Sequence, residues 1–251
     1  MDTSELLRKR FSELAHKAYN SGIYTFTDFL GLAEQAVFNE AKPAFYGIPY
    51  TFFGGVSDAE RVMVRFGDEE SVGYSADFPI VSIKAEPVSQ KFADRLTHRD
   101  FLGALLNLGI SRSTLGDILI CDNVGYIFAK EDIAPFIISN LKRVKHTDVV
   151  LSVADSLPTA NLYKTELVRI QTQSERIDAV VARVFSLSRD EAQSLFSKKL
   201  VFVNGKLCEN TSYIPKRDEK ISVRGYGRMI YLGYETTSKK GKLNIEVNLY
   251  V

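Results

Sequence analysis

The sequence predicts an α+β protein with three consecutive regions: an N-terminal helical region, a ferredoxin-like middle domain and a C-terminal module of two helices followed by strands. We place them at residues 1–74, 75–156 and 174–251. Three observations support this division. Apolar residues recur at helical spacing near the start, strand and helix patterns alternate from Phe78, and two short amphipathic helices lead into a hairpin near the end. A chain of 251 residues with 45% hydrophobic residues is long enough for two or three small domains.

The composition excludes several classes of protein. No apolar run approaches the ~20 residues of a membrane-spanning helix, and charges occupy the place where a signal peptide has its apolar core. We therefore expect a cytoplasmic protein with no membrane partner. Cys121 and Cys208 form no CxxC pair and have no His at ligand spacing, so we expect no disulfide, no metal and no cofactor.

The net charge of +1 hides an asymmetry along the chain. Residues 174–251 hold 14 Lys and Arg against 9 Asp and Glu, a net charge of +5, and residues 1–173 hold 18 against 22, a net charge of −4. A basic surface that binds a partner is therefore expected in the C-terminal module.

Two helices are predicted in the N-terminal region, the second after a cap at Thr27 or Asp28. The apolar positions at helical spacing are Leu6, Leu7, Phe11, Leu14 and Ala18 in the first helix and Phe29, Ala33, Ala36 and Val37 in the second. The aromatic stretch that follows, "AFYGIPYTFFGG", has two interpretations: a stacking surface for bases, or packing between domains, which is the commoner use of aromatic residues.

The middle region has the order β-α-β-β-α-β, which indicates a ferredoxin-like sheet with two helices on one face. Its predicted strands read "FPIVSIKAEP", "GDILICD", "VGYIFAK" and "HTDVVLSVA", and its helices cover residues 98–108 and 131–142. RNA-recognition modules (RRMs) share this topology, but their aromatic signature is missing, since "VGYIFAK" supplies only Tyr126 and Phe128. Residues 156–173 connect this region to the next and can contribute one strand.

The tripeptide His98-Arg99-Asp100 matches the opening of a protein-kinase catalytic loop. A kinase also needs an Asn five residues after that Asp, a later Asp-Phe-Gly and an upstream glycine-rich loop, and the sequence lacks all three. Thr97 and Asp100 have the spacing of a helix capping box, which we prefer as the explanation. Arg99 and Arg112 stay open between phosphate contacts, on a second RNA surface, and ordinary solvated charges.

The C-terminal module carries the clearest local signals. Ile177, Val180, Val181 and Val184 form one helical stripe. A second helix begins at Ser188, which forms a capping box with Glu191 and precedes the buried-type residues Ala192, Leu195 and Phe196. "LVFVNGKL" predicts a hairpin with a type I′ turn at Asn-Gly, and "EKISVRG" a further strand.

These pieces, in this order, resemble the S4 RNA-binding domain (αL motif) over roughly sixty residues. The matching segments are Arg-Ile-Asp at 176–178, Ser-Arg at 188–189, Val-Phe-Val-Asn-Gly at 201–205, and Asp218 followed by Ile-Ser-Val-Arg-Gly at 221–225. The glycine that usually precedes the Val-x-Val-Asn-Gly strand is Lys199 here. If that glycine serves a left-handed turn, we expect the turn to be strained or remodelled in this chain.

"HRDFLGALLNLGISR" and "GDI" extend the likeness, because they resemble the signature of the YlmH group of bacterial proteins over almost the whole chain. The resemblance implies an N-terminal helical region, an RRM-like middle domain and a C-terminal S4 domain. It also implies RNA binding on the large ribosomal subunit, and a role in the rescue of obstructed subunits that still carry peptidyl-tRNA, which is ribosome-associated quality control.

Beside that resemblance, the residues themselves offer an RNA-binding mechanism. The start of the second helix favours a phosphate through its free N–H groups and positive dipole end, and Arg189 adds a bidentate donor. The other cations that extend this basic face are Arg183, Lys198, Lys199, Lys206, Arg217, Arg224 and Arg228. Each exposed Lys can equally be a solubilising charge, and Arg176 can instead form a structural pair with Asp178 or Glu175.

Two functions of different classes compete. The first is a non-catalytic protein that binds structured ribosomal RNA (rRNA), with tRNA as a further partner and no DNA. The second is an RNA-modifying enzyme, such as a pseudouridine synthase or a methyltransferase, because S4 domains also accompany these enzymes. The sequence lacks the Gly-Arg-Leu-Asp active-site segment of the synthases and a glycine-rich cofactor loop after a strand, and it also lacks the nucleotide-binding signature of an aminoacyl-tRNA synthetase.

Overall fold

The computed structural model of the protein describes residues 3–57, 59–158, 165–238 and 241–250. The chain divides into two units, Met1–Leu162 and Tyr163–Val251. Helices and antiparallel sheets occur in both units, which confirms the predicted α+β class.

The N-terminal part of the first unit combines helices with a small sheet. Its elements are α1 (Thr3–Ser21), β1 (Thr25–Phe26), α2 (Leu32–Ala41), β2 (Tyr50–Phe53), β3 (Met63–Phe66) and α3 (Glu69–Val72). Both predicted helices are present. The strands, which lie in the order β1-β3-β2, were not predicted.

The predicted cap of the second helix is wrong, because α2 begins only after Gly31. The Thr27 hydroxyl instead accepts a hydrogen bond from the Val64 amide (2.9 Å) and donates one to the Asp28 carbonyl (2.7 Å). Thr27 is therefore committed to the sheet, where its bonds fasten the end of β1 to β3.

Most of the aromatic stretch packs around the buried ring of Phe38. Phe45, Tyr50 and Phe52 have ring centroids 5.0–5.3 Å from it, at the tilted and edge-on angles that aromatic pairs prefer. Packing is therefore the main use of these rings, although the ring of Tyr46 is almost fully exposed.

The middle domain has the predicted ferredoxin-like arrangement. Its elements are β4 (Ile80–Pro87), α4 (His98–Asn107), β5 (Leu115–Cys121), β6 (Val124–Lys130), α5 (Ala134–Asn140), β7 (Arg143–Val144) and β8 (Thr147–Val153). The strands lie in the order β5-β6-β4-β8-β7 and are antiparallel. Only the two-residue strand β7, which forms a hairpin with β8, is additional to the predicted order.

The two faces of this sheet have different coverings. Helices α4 and α5 bury one face through residues such as Phe101, Leu105 and Ile137. The N-terminal part packs on the opposite face at β5 and β6. There the Asp117 carboxylate accepts hydrogen bonds from the amides of Glu60 (2.7 Å) and Arg61 (3.0 Å).

In its described residues, 165–238 and 241–250, the second unit has a six-stranded antiparallel sheet and two helices. Its elements are β9 (Thr165–Thr172), α6 (Ile177–Val184), α7 (Arg189–Ser197), β10 (Val201–Val203), β11 (Lys206–Leu207), β12 (Lys220–Val223), β13 (Gly227–Thr237) and β14 (Leu243–Tyr250). The strand order is β11-β10-β12-β13-β14-β9. The connecting segment 156–173 thus contributes a whole edge strand, β9, paired along its length with β14.

The core of this unit lies between the helices and one face of the sheet. Three members of the predicted α6 stripe, Ile177, Val180 and Val181, are buried, as are Ala192, Leu195 and Phe196 of α7. Asn204 and Gly205 both have positive φ (48° and 78°), as the predicted type I′ turn requires.

Candidate nucleic-acid interface

The start of α7 has the predicted capping box. The Ser188 hydroxyl accepts a hydrogen bond from the Glu191 amide (3.2 Å), and the Glu191 carboxylate accepts one from the Ser188 amide (2.8 Å). The Ser188 hydroxyl also donates to this carboxylate (2.7 Å), and the two bonds from the Ser188 amide and hydroxyl lower the pKa of Glu191, so its carboxylate is anionic at neutral pH. Because Asp190 is also in this first turn, the helix dipole is already complemented by the chain's own carboxylates. The helix end is therefore a weaker anion site than the sequence predicted. Arg189 is exposed beside these carboxylates, and its side chain is the group at this helix start that can still bind a phosphate.

The other end of α7 gathers positive charge. Lys198 and Lys199 are consecutive and exposed, and the next carbonyl, that of Leu200, accepts a hydrogen bond from the Arg224 amide (2.9 Å). The turn that follows β12 is therefore held against the end of α7. Lys199 also lies 3.6 Å from Glu209, an exposed pair that stabilises little.

The end of α6 approaches the same turn. The ring of Phe185, which directly follows α6, is 6.0 Å from the ring of Tyr226 between β12 and β13. Arg183 lies in the last turn of α6 and is exposed. We call this region the basic corner and define it by Arg183, Lys198, Lys199, Arg224 and Tyr226.

Tyr226 is a member of the basic corner that the sequence analysis missed. Its side chain is 48% exposed although it contacts Phe185. An exposed aromatic ring among cations is the arrangement that binds unpaired bases by stacking. The signal was the Gly225-Tyr226-Gly227 sequence, because glycines on both sides leave a ring uncovered.

Two of the predicted arginines stack on aromatic rings on the sheet face opposite the helices. The Cζ atom of Arg224 is 4.8 Å from the ring centroid of Phe202, and that of Arg228 is 3.9 Å from the ring centroid of Tyr250. Cation–π contacts hold a guanidinium by its face and leave its N–H edge for hydrogen bonds.

Lys206 and Arg217 are exposed but lie away from the basic corner. Lys206 pairs with Val203 across the β10–β11 hairpin, whereas Val201, at the other end of β10, pairs with Val223 beside the corner. The loop of Arg217 leads into Lys220, which is also at the hairpin end. The predicted cations are therefore divided between the two ends of β10.

Arg176 forms the structural pair that the sequence allowed. Its guanidinium donates to both carboxylate oxygens of Asp178 (3.1 and 2.8 Å). Asp178 is buried and also accepts a hydrogen bond from the Ala179 amide (2.9 Å). This pair closes the start of α6.

The two arginines considered for a second RNA surface differ in their surroundings. Arg112 donates to the carbonyls of Leu115 (3.0 Å) and Gly116 (2.9 Å), and burial, together with nearby Arg61, lowers its pKa to about 10. Arg99 is exposed on α4, and none of the residues that the structure describes binds its guanidinium. Of the two, Arg99 has its donors available to a ligand.

The kinase-like tripeptide is the beginning of α4. Thr97 and Asp100 form the predicted capping box, in which the Asp100 carboxylate accepts hydrogen bonds from the Thr97 amide (2.9 Å) and hydroxyl (2.7 Å). These bonds lower the pKa of Asp100. Burial, then neighbouring Arg99, lowers the pKa of His98.

Within the described ranges, no group of three or more His, Cys, Asp or Glu side chains could hold a metal ion. Within the same ranges, none of the helices combines the length and the apolar character that a membrane span requires.

Comparison with known proteins identifies the family. Residues 74–157 match the family described as "Putative RNA-binding domain in YlmH". The chain is 30% identical over 224 residues to the "Ribosome-associated protein quality control protein P2" of Bacillus subtilis (strain 168), across 87% of this chain and 84% of that protein. A solved structure, "Cell division protein ylmH from Streptococcus pneumoniae", is 23% identical with a TM-score of 0.47, over 61% of this chain and 93% of that one. From the length and identity of the Bacillus match, the chain belongs to the YlmH-type family of RNA-binding proteins.

Proposed function

We propose that this RNA-binding protein grips structured rRNA of the large ribosomal subunit through the basic corner, in the cytoplasm and without catalysis. Peptidyl-tRNA held on the subunit is a further partner, and ribosome-associated quality control is the process. The observation that carries the proposal is that three segments with exposed cations adjoin in the basic corner. The Arg224 amide binds the Leu200 carbonyl beside Lys198 and Lys199, and the ring of exposed Tyr226 contacts Phe185 at the end of α6, close in sequence to Arg183. The name of the Bacillus relative supports the ribosomal context.

The corner suits structured RNA because it offers two kinds of contact side by side. Lys and Arg side chains neutralise backbone phosphates and release counterions, which provides affinity without regard to sequence. The Tyr226 ring can stack on a base that is unpaired in a loop or bulge, where sequence-specific RNA recognition is concentrated. A duplex beside a bulge or loop would satisfy both.

The structural role of the kinase-like tripeptide His98-Arg99-Asp100 supports a binding role in preference to catalysis. The carboxylate of Asp100 accepts hydrogen bonds from the Thr97 amide and hydroxyl, so it serves as a helix cap.

The test uses the full-length protein and purified large ribosomal subunits in a sedimentation assay. Replacing Lys198, Lys199 and Arg224 together with Ala should weaken binding at least about tenfold, since each charge-assisted phosphate contact is worth roughly 1–3 kcal/mol. The matched control replaces Lys9, Arg10 and Lys17 of α1 with Ala, which removes the same charge from an exposed helix of the first unit. Equal binding by the two triple variants would refute the proposal.

A single substitution tests the residue that the sequence ranked first. Arg189→Ala should weaken binding to the subunit by roughly 1–3 kcal/mol and leave the urea midpoint of unfolding unchanged, because the side chain is exposed. Unaltered sedimentation of this variant would show that Arg189 is not part of the interface, and it would not affect the proposal for the basic corner.

A further inference from the structure

The middle domain has lost the surface through which RRM-type sheets usually stack on bases. Tyr126 and Phe128 are its two aromatic residues on the central strand β6, and they are only 8% and 1% exposed. Gly55 of the N-terminal part lies directly on the Phe128 ring, so closely that a Cβ atom there would be 2.3 Å from it. Bases therefore cannot reach these rings, and any RNA contact of this domain must lie elsewhere.

The helical side of the same sheet has an open groove of about 680 Å³ between α4 and the segment that joins α5 to β8. Four cationic side chains line it: Arg99, Lys142, Arg143 and Lys145. Asp100 is the one carboxylate among the described residues that line it, and it is occupied in the capping box of α4. This excess of positive charge occurs within residues 1–173, which carry a net charge of −4, so it is a local feature and not a share of a general basic surface.

The cations stand on a fixed scaffold. Lys145 lines the groove from the turn between β7 and β8, where its φ of +58° is a conformation that lysine adopts at a cost. Arg143 donates to the His146 carbonyl (3.3 Å) across the same turn. Its Nε atom is 3.8 Å from Asp148, and this exposed pair is weak enough to yield to a phosphate.

The floor and rim of the groove suit a nucleic-acid backbone. Gly103 and Ala104 of α4 have almost no side chain, so a phosphate chain can approach the helix closely. Asn107 and Asn140 also line the groove. The Asn140 amide nitrogen donates to the Phe136 carbonyl (2.8 Å), and an amide so placed has a second N–H and its oxygen for a ribose 2′-hydroxyl. Four dispersed cations along an open groove fit several phosphates in series better than one small anion.

We propose that this groove binds the phosphate backbone of RNA as a second contact site. The inference deepens the proposed function and rests on it for the identity of the polymer. It moves the RNA-binding surface of the middle domain from the sheet to the helical face.

The experiment measures the salt dependence of rRNA binding by the full-length protein, with rRNA extracted from large subunits as the probe. The groove variant is Arg99→Gln/Lys142→Gln/Lys145→Gln. Log affinity falls as log salt rises, and the steepness of this fall should be smaller by about two in the groove variant. The reason is that three cations are removed and each phosphate contact contributes about 0.7 to 0.9. The charge-preserving variant Arg99→Lys/Lys142→Arg/Lys145→Arg should keep the wild-type slope, which separates charge from packing.

The outcomes distinguish the two proposals. If the groove variant keeps the wild-type slope and the Lys198/Lys199/Arg224 variant has a reduced slope, the groove proposal is refuted and the proposed role of the basic corner is supported. A reduced slope in the groove variant with an unchanged one in the corner variant would support the groove and overturn the corner. If the groove variant loses binding to poly-glutamate but keeps its binding to rRNA, the occupant is an acidic protein and the RNA assignment is wrong.

Discussion

Lys199 combines a strained backbone with a place in the proposed RNA-binding surface. The S4 resemblance led us to expect strain or remodelling where that family has glycine, and Lys199 has φ of +58°, in the left-handed region that side chains with a Cβ atom disfavour by roughly 1–2 kcal/mol. The left-handed turn is therefore present, and it is strained. A contribution of the Lys199 charge to the proposed RNA-binding surface is a physical reason for lysine at this position.

Replacing this lysine should therefore separate stability from binding. Lys199→Gly should raise the free energy of unfolding by about 0.5–1 kcal/mol, because the relief of strain exceeds the greater freedom of glycine in the unfolded chain. It should also weaken rRNA binding. The adjacent control is Lys198→Gly. Lys198 has φ of −80°, where no strain is relieved, so this substitution should lower the free energy of unfolding. Urea unfolding followed by circular dichroism measures the free energy of unfolding of the two variants. A Lys199→Gly variant less stable than wild type would contradict the prediction that Lys199 is strained.

Single residues also mark the limit of what the sequence could show. Pairing of Arg176 with Asp178 was foreseeable because they are two positions apart at a helix start. The hydrogen bonds of Arg112 to nearby carbonyls and the contact of Tyr226 with Phe185 were not, since both depend on how the chain packs around them.

At the scale of elements, local rules were sufficient wherever a segment carried its own signals. The cap of α7, the Asn-Gly turn and the β-α-β-β-α-β order all follow from spacings of a few residues, and the structure has them. The N-terminal sheet was not predicted because β1 has only two residues and three of the four residues of β2 are aromatic, so neither strand shows an alternating pattern. Their pairing with β3 is decided by tertiary contacts.

The cap of α4 provides a test at this scale. Asp100→Ala should lower the free energy of unfolding by about 0.5–2 kcal/mol at neutral pH, because two hydrogen bonds at the helix start are lost. Since the folded-state pKa of Asp100 is below its ordinary value of 3.8, this contribution is present above that pH. It is lost as the pH falls through the folded-state pKa, and the two proteins should then converge. Urea unfolding at pH 7 and in acid measures the difference.

The same variant decides between a cap and a catalyst. Wild-type protein incubated with labelled ATP should transfer no phosphate to itself or to rRNA, because Asp100 is bound by Thr97 and the other kinase elements are missing from the sequence. Phosphate transfer that Asp100→Ala abolishes would overturn the binding role proposed for the protein.

At the scale of the whole molecule, function follows from which surfaces the chain covers. The N-terminal part covers β5 and β6 on the sheet face that a free-standing RRM would offer to RNA, including the ring of Phe128, and leaves the groove on the helical face of the middle domain open. In the other unit, strands β13, β14 and β9 extend the sheet beyond the hairpin and β12, while the ends of α6 and α7 keep their cations exposed. No local pattern encodes this choice, because it depends on contacts between segments as distant as Gly55 and Phe128.

Gly55 makes this long-range packing testable. A Cβ atom at this position would meet the buried Phe128 ring at 2.3 Å, and φ of +93° is itself unfavourable for alanine. Gly55→Ala should therefore destabilise the protein by about 2–4 kcal/mol, from overpacking and backbone strain together. Gly47→Ala is the matched control, because its φ is +83° but no atom lies within 4 Å of the new Cβ, so only about 1 kcal/mol should be lost. Urea unfolding gives both values, and hydrogen exchange should show faster opening of β6 only in Gly55→Ala. Equal destabilisation by the two substitutions would mean that the N-terminal part does not cover Phe128, and the sheet face of the middle domain would again be open to RNA.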